Sequence, residues 1–330
     1  MATWHDGIDP RVHKGLEIGA LHNPRFDPQS PNVFFVDHTD TASLRRKYAN
    51  DSHLQDKLDS LVDVDYVWGA DDRVLAEVVK EITPVDFVYA SHVFEHLANP
   101  VGWLEQVAAV LPVGGVLSLV IPDKRFCFDV NRDLTGVADL IDGYLTSASK
   151  PSFRQIYDFY SRMITVDTRA LWAGAEDHVE RVRDDADPDE LAMEFCRRSE
   201  AGEYIDTHCG VYTPASFLAI VEKLGGLGLM PFTIRAFQST PVNTLEFRVV
   251  LEKLPDTGPD RRREVISGSV AAARKGAGLG PGPASPSCQL QLGPRELRFI
   301  LAKRRLMERA HGMRGRVRAW RGGSRAFPGS

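Results

Sequence analysis

Only 4 of the 330 residues are cysteine, and Cys127, Cys196, Cys209 and Cys288 stand far apart with no Cys-x-x-Cys pair. That spacing speaks against a structural zinc site and against a disulfide framework. No apolar run approaches the roughly 20 residues that a membrane-spanning helix needs. Met1 to Asp6 has neither the basic start nor the apolar core of a signal peptide, so the expectation is a cytoplasmic enzyme with reduced thiols. Glycine is missing where a dinucleotide loop would need it. Gly19 follows the first apolar run, but Ala20, Leu21 and His22 stand where Gly-x-Gly-x-x-Gly would continue. A nicotinamide oxidoreductase is disfavoured for that reason. Nothing in the chain resembles a nucleic-acid-binding module, so no nucleic-acid partner is expected.

What is present is ordinary in amount and uneven in placement. Apolar residues make up 43% and charged residues 26%, as in globular proteins generally. The net charge of −5 divides into +9 over residues 291–330, where 11 Lys/Arg face 2 acids, and −14 over the rest. An acidic body with a basic tail suggests peripheral contact with a membrane or an acidic partner through residues 293–330.

Apolar patterning lays out an α/β chain. Lys14–Ala20 reads as a strand running into a Pro/Asn/Asp-rich loop, and Val33–His38 as a second strand ending in Asp37, 20 positions after Glu17. Val64–Gly69 is a third strand, followed by Asp71 as N-cap of a helix over Val74–Ile82. Val85–Ala90, a helix over Pro100–Leu111 and the almost wholly apolar Val116–Asp123 continue the alternation. Residues 124–213 break it with mixed helices and many aromatics. A helix over Pro214–Leu224 and two closely linked strands, Pro231–Gln238 and Thr244–Leu254, close the sheet as an antiparallel hairpin. Residues 256–292 read as a flexible linker and 293–330 as a basic helix and tail.

Four stretches carry a family resemblance: Leu16-Glu17-Ile18-Gly19-Ala20-Leu21-His22-Asn23-Pro24, Ser91 to Leu97, Ile121-Pro122-Asp123-Lys124-Arg125, and Thr207 to Pro214. Together with the element order they resemble a class I S-adenosylmethionine-dependent methyltransferase, in particular the small-molecule and sugar methyltransferases of glycan and cell-surface polysaccharide biosynthesis. The resemblance covers about 14–123 and 207–254. It implies a Rossmann-like seven-stranded sheet, mostly parallel with an antiparallel C-terminal hairpin, helices on both faces and a helical insertion after strand 5. It implies a methyltransferase domain over 1–255, with 124–213 as acceptor-binding lid. S-adenosyl-L-methionine is the implied cofactor and a hydroxyl of a small-molecule or glycan-linked acceptor the implied target. Another small molecule (a lipid or secondary metabolite) is the alternative, as is a non-catalytic assembly partner.

The resemblance also assigns cofactor roles. Glu17 and Gly19 line the methionine end, Asp37 receives the ribose hydroxyls, Asp71 holds the adenine amino group, Ala90 and Ser91 present backbone to the methionine moiety, and Ala20 and His38 are further cofactor-binding positions. Each has a plain structural alternative: a turn glycine at Gly19, a helix cap at Asp37 or Asp71.

Methyl transfer to oxygen needs a base near the end of strand four. His92, Glu95 and His96, at i, i+3 and i+4, share one face if the segment is helical. His96 or His92 is the candidate base with Glu95 orienting it, and His208 is a further candidate from its returning loop. A divalent metal on His92, Glu95 and His96 is the alternative that is not favoured, and no metal ligands are assigned. In the plainest alternative, Glu95 and His96 only brace the helix. Lys124 and Arg125 would meet an acidic group on the acceptor or remain an ion-paired loop.

Overall fold

The computed structural model describes residues 7–280, apart from 50, 52, 53, 70, 175–178 and 182–186. The chain divides into a unit over 1–282 and a second over 283–330. That second unit, with the expected basic helix and tail, lies outside the described residues, as does the end of the expected linker. Among the described residues no helix is long and apolar enough to cross a membrane.

Three strands start the sheet: β1 (Gly15–Ile18), β2 (Val33–Asp37) and, after α1 (Thr41–Lys47), β3 (Tyr66–Val67). After α2 (Leu75–Val78) come β4 (Phe87–Ser91), α3 (Pro100–Val110) and β5 (Val116–Pro122). The insertion contains α4 (Val137–Leu145), α5 (Phe153–Arg162), β6 (Ile164–Val166), α6 (Thr168–Trp172), β7 (Val179–Arg181) and α7 (Pro188–Glu200). The chain then returns through α8 (Pro214–Gly226), β8 (Phe232–Gln238), β9 (Glu246–Lys253) and α9 (Pro259–Gly276).

Seven strands form one sheet in the order β3-β2-β1-β4-β5-β9-β8, and β6 with β7 forms a separate ribbon. β1 to β5 are parallel, while β9 runs antiparallel between β5 and β8. This is the Rossmann-like seven-stranded sheet with an antiparallel finish. Strand order reverses between β1 and β4, and the carboxyl ends at such a reversal are where open α/β sheets bind their ligands. There Ile18 pairs with Ala90, so Gly19 and Ser91 emerge side by side.

Period-two alternation divides the strand side chains between two cores. Leu16, Ile18, Val36, Val88, Ala90, Leu117, Leu119, Ile121, Val249 and Leu251 face the larger one, covered by α2, α3, α4, α8 and α9. Val33, Phe35, Phe87, Tyr89, Val116, Val120 and Val250 face the smaller, closed by Phe26 and Val62 with Ile8 and Ala20 against it. All seven residues of β5 are buried, as its unbroken apolar run requires of a doubly covered strand.

Three expectations are corrected. The first concerns the linker, because residues 259–276 form α9 rather than flexible chain. Ile266 and Val270 are buried at a spacing of four and pack on the α8 side of the larger core. Arginine, glycine and serine around them dilute that stripe. The second is Asp71, which caps no helix: the N-cap of α2 is Val74, and α2 itself is a single turn. The third is the Ser91–Leu97 segment. It is not an α-helix but a left-handed residue, His92 at φ +53, followed by one 3-10 turn over Phe94–His96.

Candidate functional site

The cofactor-side residues expected from sequence fall into two groups. Gly19 sits at φ +71, a conformation costly for any residue with a Cβ, and an added Cβ would lie 2.8 Å from Val93 Cγ2. Its N–H donates to Val36 O at 2.9 Å, tying the end of β1 to β2. Asp37, 7% exposed at the end of β2, accepts at Oδ1 from the His38 N–H at 2.7 Å. His38 Nδ1 lies 2.5 Å from the same oxygen. Ala90 and Ser91 close the end of β4 against β5, where Ser91 pairs with Val120. These four positions, with His38, line up along the carboxyl edge of β2, β1 and β4.

Glu17 and Asp71 are engaged elsewhere. Glu17 points to the face opposite Leu16 and Ile18. There it is 2% exposed and accepts from the Arg25 N–H at 2.7 Å and the Phe26 N–H at 3.1 Å. It therefore anchors the loop that seals the smaller core, and burial pushes its carboxyl up to about 7. Ala20 packs beside that core. Asp71 is half-exposed and folds back on the Arg73 guanidinium at 2.8 Å.

On the acceptor side the left-handed turn at His92 sends the two histidines of the segment different ways. His92 Nδ1 lies 3.4 Å from Glu95 Oε1, and its Nε2 lies 3.9 Å from Glu246 Oε2. His96 instead meets Asp206, Nδ1 to Oδ1, at 2.9 Å. His208 returns from the loop before α8 and packs edge-on against His96, with ring centroids 4.6 Å apart. Its Nδ1 lies 2.7 Å from Asp129 Oδ2. Arg132, 2% exposed, fixes that arrangement by donating to Asp129 at 2.7 Å, Asp158 at 2.9 Å and the His208 carbonyl at 2.8 Å. At the centre Glu95 is wholly buried, and among the described residues neither of its oxygens accepts a hydrogen bond.

The charges bias one another. Burial alone would lower the His92 and His96 imidazoles. Glu95 outweighs it for His92, and the Asp206 hydrogen bond together with Glu95 outweighs it for His96, so both are raised. Burial would raise Glu95, Asp129 and Asp206, yet the facing histidines, joined by Arg132 at Asp129 and Lys47 at Asp206, hold all three below the ordinary carboxylate range. Cys209 is pushed up to about 12 by burial, which leaves it a thiol and no nucleophile.

Sequence reading thus named His92, Glu95, His96 and His208, which the fold brings together, but missed Asp129, Arg132 and Asp206. Asp206 directly precedes the Thr207–Pro214 stretch, which was its one available signal. Asp129 and Arg132 had none, since an acid and a base three positions apart are common. Lys124 and Arg125 are tied down locally: Lys124 Nζ donates to Val130 O at 2.9 Å and Arg125 pairs with Asp123 at 2.6 Å.

The insertion's aromatics largely pack on one another. Phe126 stacks on Trp172 at 3.9 Å and Tyr160 on Phe195 at 3.8 Å, while Phe128 and Phe159 flank His208. A cleft of about 630 Å³ between α5 and α7 is lined by residues including Arg154, Tyr157, Arg162 and Met193. A second of about 630 Å³ lies between Val166–Arg169 and Asn243–Glu246. Neither is lined by Asp37, His92 or Glu95; the second borders the site through Glu246.

No protein-family model matches the chain, and no curated protein does. Solved structures are similar at low identity. A SAM dependent methyltransferase from Aquifex aeolicus shares 13% identity over 73% of this chain and 82% of its own, with a TM-score of 0.32. A putative S-adenosylmethionine dependent methyltransferase from Listeria monocytogenes shares 11% over 76% and 94%, with a TM-score of 0.37. The O-methyltransferase of a trans-AT PKS multienzyme from Brevibacillus brevis, in complex with S-adenosyl-L-homocysteine, shares 12% over 89% and 78%, with a TM-score of 0.32. At these identities and scores the likeness carries no inference about activity or acceptor. The fold rests on strand order.

Proposed function

We propose that this chain is an S-adenosylmethionine-dependent methyltransferase acting on a hydroxyl of a small-molecule acceptor. The observation that carries the reading is the carboxyl edge of the sheet. Gly19, Asp37 and Ser91 sit there in a row over the strand-order reversal, and the His92–Glu95 pair begins one residue beyond β4. A reversal of this kind, with an acid ending the second strand, suits a nucleoside whose ribose hydroxyls need a paired acceptor. Asp37 fits that part. Glu17, taken up by backbone amides, does not fit the methionine end, which leaves the backbone at Gly19 and Ser91 for that task.

When bound, the cofactor supplies an electrophilic methyl group. The chain's own residues position the acceptor and remove its proton. His92 is the base we assign, because its side chain is 43% exposed while that of His208 is 7% exposed. With Nδ1 turned to Glu95, Nε2 is left to take the hydroxyl proton, and the buried carboxylate offsets the imidazolium that forms. As acceptor class we favour a sugar or glycan-linked hydroxyl, on the resemblance of the four sequence stretches.

Transfer of label from methyl-labelled cofactor to a panel of nucleotide sugars, free glycans and phenolic metabolites tests the reading. Label in a sugar supports it in full, and label only in a phenol keeps the activity while removing the acceptor class. Absence of cofactor binding would remove both.

A further inference from the structure

The geometry points to a binding site for one divalent first-row transition-metal ion at Glu95, His96 and His208. Donor atoms from these three side chains all lie within 4.8 Å of one another. Both imidazoles already have the outer support that metal-binding histidines need. Asp206 holds His96 at Nδ1 and Asp129 holds His208 at Nδ1, at 2.9 and 2.7 Å. A carboxylate on Nδ1 selects the tautomer with its proton there, which leaves the Nε2 lone pair of each ring for an ion.

Glu95 supplies the independent argument. It is 0% exposed, and among the described residues neither oxygen has a hydrogen-bond donor. His92 Nδ1, 3.4 Å away, is an ion-pair neighbour without hydrogen-bond geometry. A buried anion in that state is strongly unfavourable unless a cation meets it. Asp129 has Arg132 for that purpose and Asp206 has Lys47 at 3.7 Å, whereas among the described residues Glu95 has imidazoles as its charge partners. A carboxylate has two oxygens, so Glu95 can bind an ion and still face His92.

Two imidazoles with one carboxylate suit Zn²⁺, Fe²⁺ or Co²⁺ and not Mg²⁺ or Ca²⁺, which prefer oxygen donors throughout. Donors about 2.1 Å from a tetrahedral ion stand about 3.4 Å from one another, so the widest pair closes by up to about 1.4 Å on binding. Three protein donors leave a position open for water or another oxygen. His96, about one-third exposed, gives that position a route to solvent. The ligand set differs from the i, i+3, i+4 triplet expected from sequence. His92 is replaced by His208, which comes from a loop more than a hundred residues later.

Metal binding at this cluster does not depend on the methyl-transfer reading and is tested without cofactor or acceptor. The full chain, stripped with chelator, is titrated with Co²⁺ while visible absorption and bound stoichiometry are followed, and Zn²⁺ is then used to displace it. The expected result is one Co²⁺ per chain with the strong absorption of a four- or five-coordinate ion. Glu95→Gln and His96→Ala should each weaken binding by about a hundredfold or more, and Asp206→Asn by about ten- to hundredfold. His92→Ala should leave binding within about twofold. Because His208→Ala lies in the buried insertion, the partly exposed His96 carries the test, with circular dichroism confirming the fold. A colourless titration, or equal Co²⁺ binding by wild type and both ligand variants, would overturn the assignment.

Discussion

Asp129 Oδ2 lies 2.7 Å from His208 Nδ1, across 79 positions of sequence. That contact joins the start of the insertion to its end and places His208 beside Glu95 and His96. Arg132 completes it, reaching Asp129, Asp158 and the His208 carbonyl at once.

Arg132→Met should therefore destabilise the insertion. Removing one member of a buried, hydrogen-bonded ion pair leaves the other unpaired, at a cost of about 3–5 kcal/mol. Urea denaturation of the variant checks this. A loss within about 0.5 kcal/mol, the range of ordinary surface substitutions, would contradict it.

His92→Ala should lower turnover by about 10²–10⁴-fold, the usual contribution of a general base, with cofactor affinity unchanged. Steady-state kinetics beside a binding titration separates the two. Full turnover in the variant would move the base to another side chain.

Gly19→Ala should destabilise the fold by about 1–2 kcal/mol through the left-handed backbone alone, with the close approach to Val93 adding to it. Pairing it with Val93→Ala should recover the steric part and not the backbone part. A double-mutant cycle of denaturation free energies reads the difference.

Glu17 has a pH signature. Burial raises its carboxyl from the usual 4.5 to about 7 in the folded chain. The folded protein therefore keeps a proton that the unfolded chain releases between those values. The associated stability is fully present below about pH 4.5 and is lost as pH rises through 7, about 3 kcal/mol in all. Glu17→Gln cannot ionise, so its stability should fall less between pH 5 and pH 8 than that of wild type. Parallel stability profiles for the two proteins would count against this account of Glu17.

Strand signals were legible where burial is two-sided or alternation is clean. Val116–Pro122 announces a covered central strand by composition alone, and all seven residues are buried. Tyr66–Val67 is shorter than its apolar run because it sits at the sheet edge, where only Val36 and Asp37 offer partners. Helix α9 was missed because its buried positions, Ile266, Val270 and Arg274, form a stripe one residue wide among arginines, glycine and serine. At the site, local spacing found His92, Glu95 and His96. It assumed a helix that the left-handed His92 forbids, so it grouped His92 with His96 when the fold groups His208 with Glu95 and His96. Asp129 and Asp206 act only through tertiary contact, and no local pattern marks them.

The most direct measurement is calorimetric titration of S-adenosylmethionine into the full chain, with Asp37→Ala as control. Saturable binding at one site, weakened about tenfold or more in the variant by loss of the ribose acceptor, is the predicted result. No binding by wild type, or equal binding by both proteins, would contradict the account.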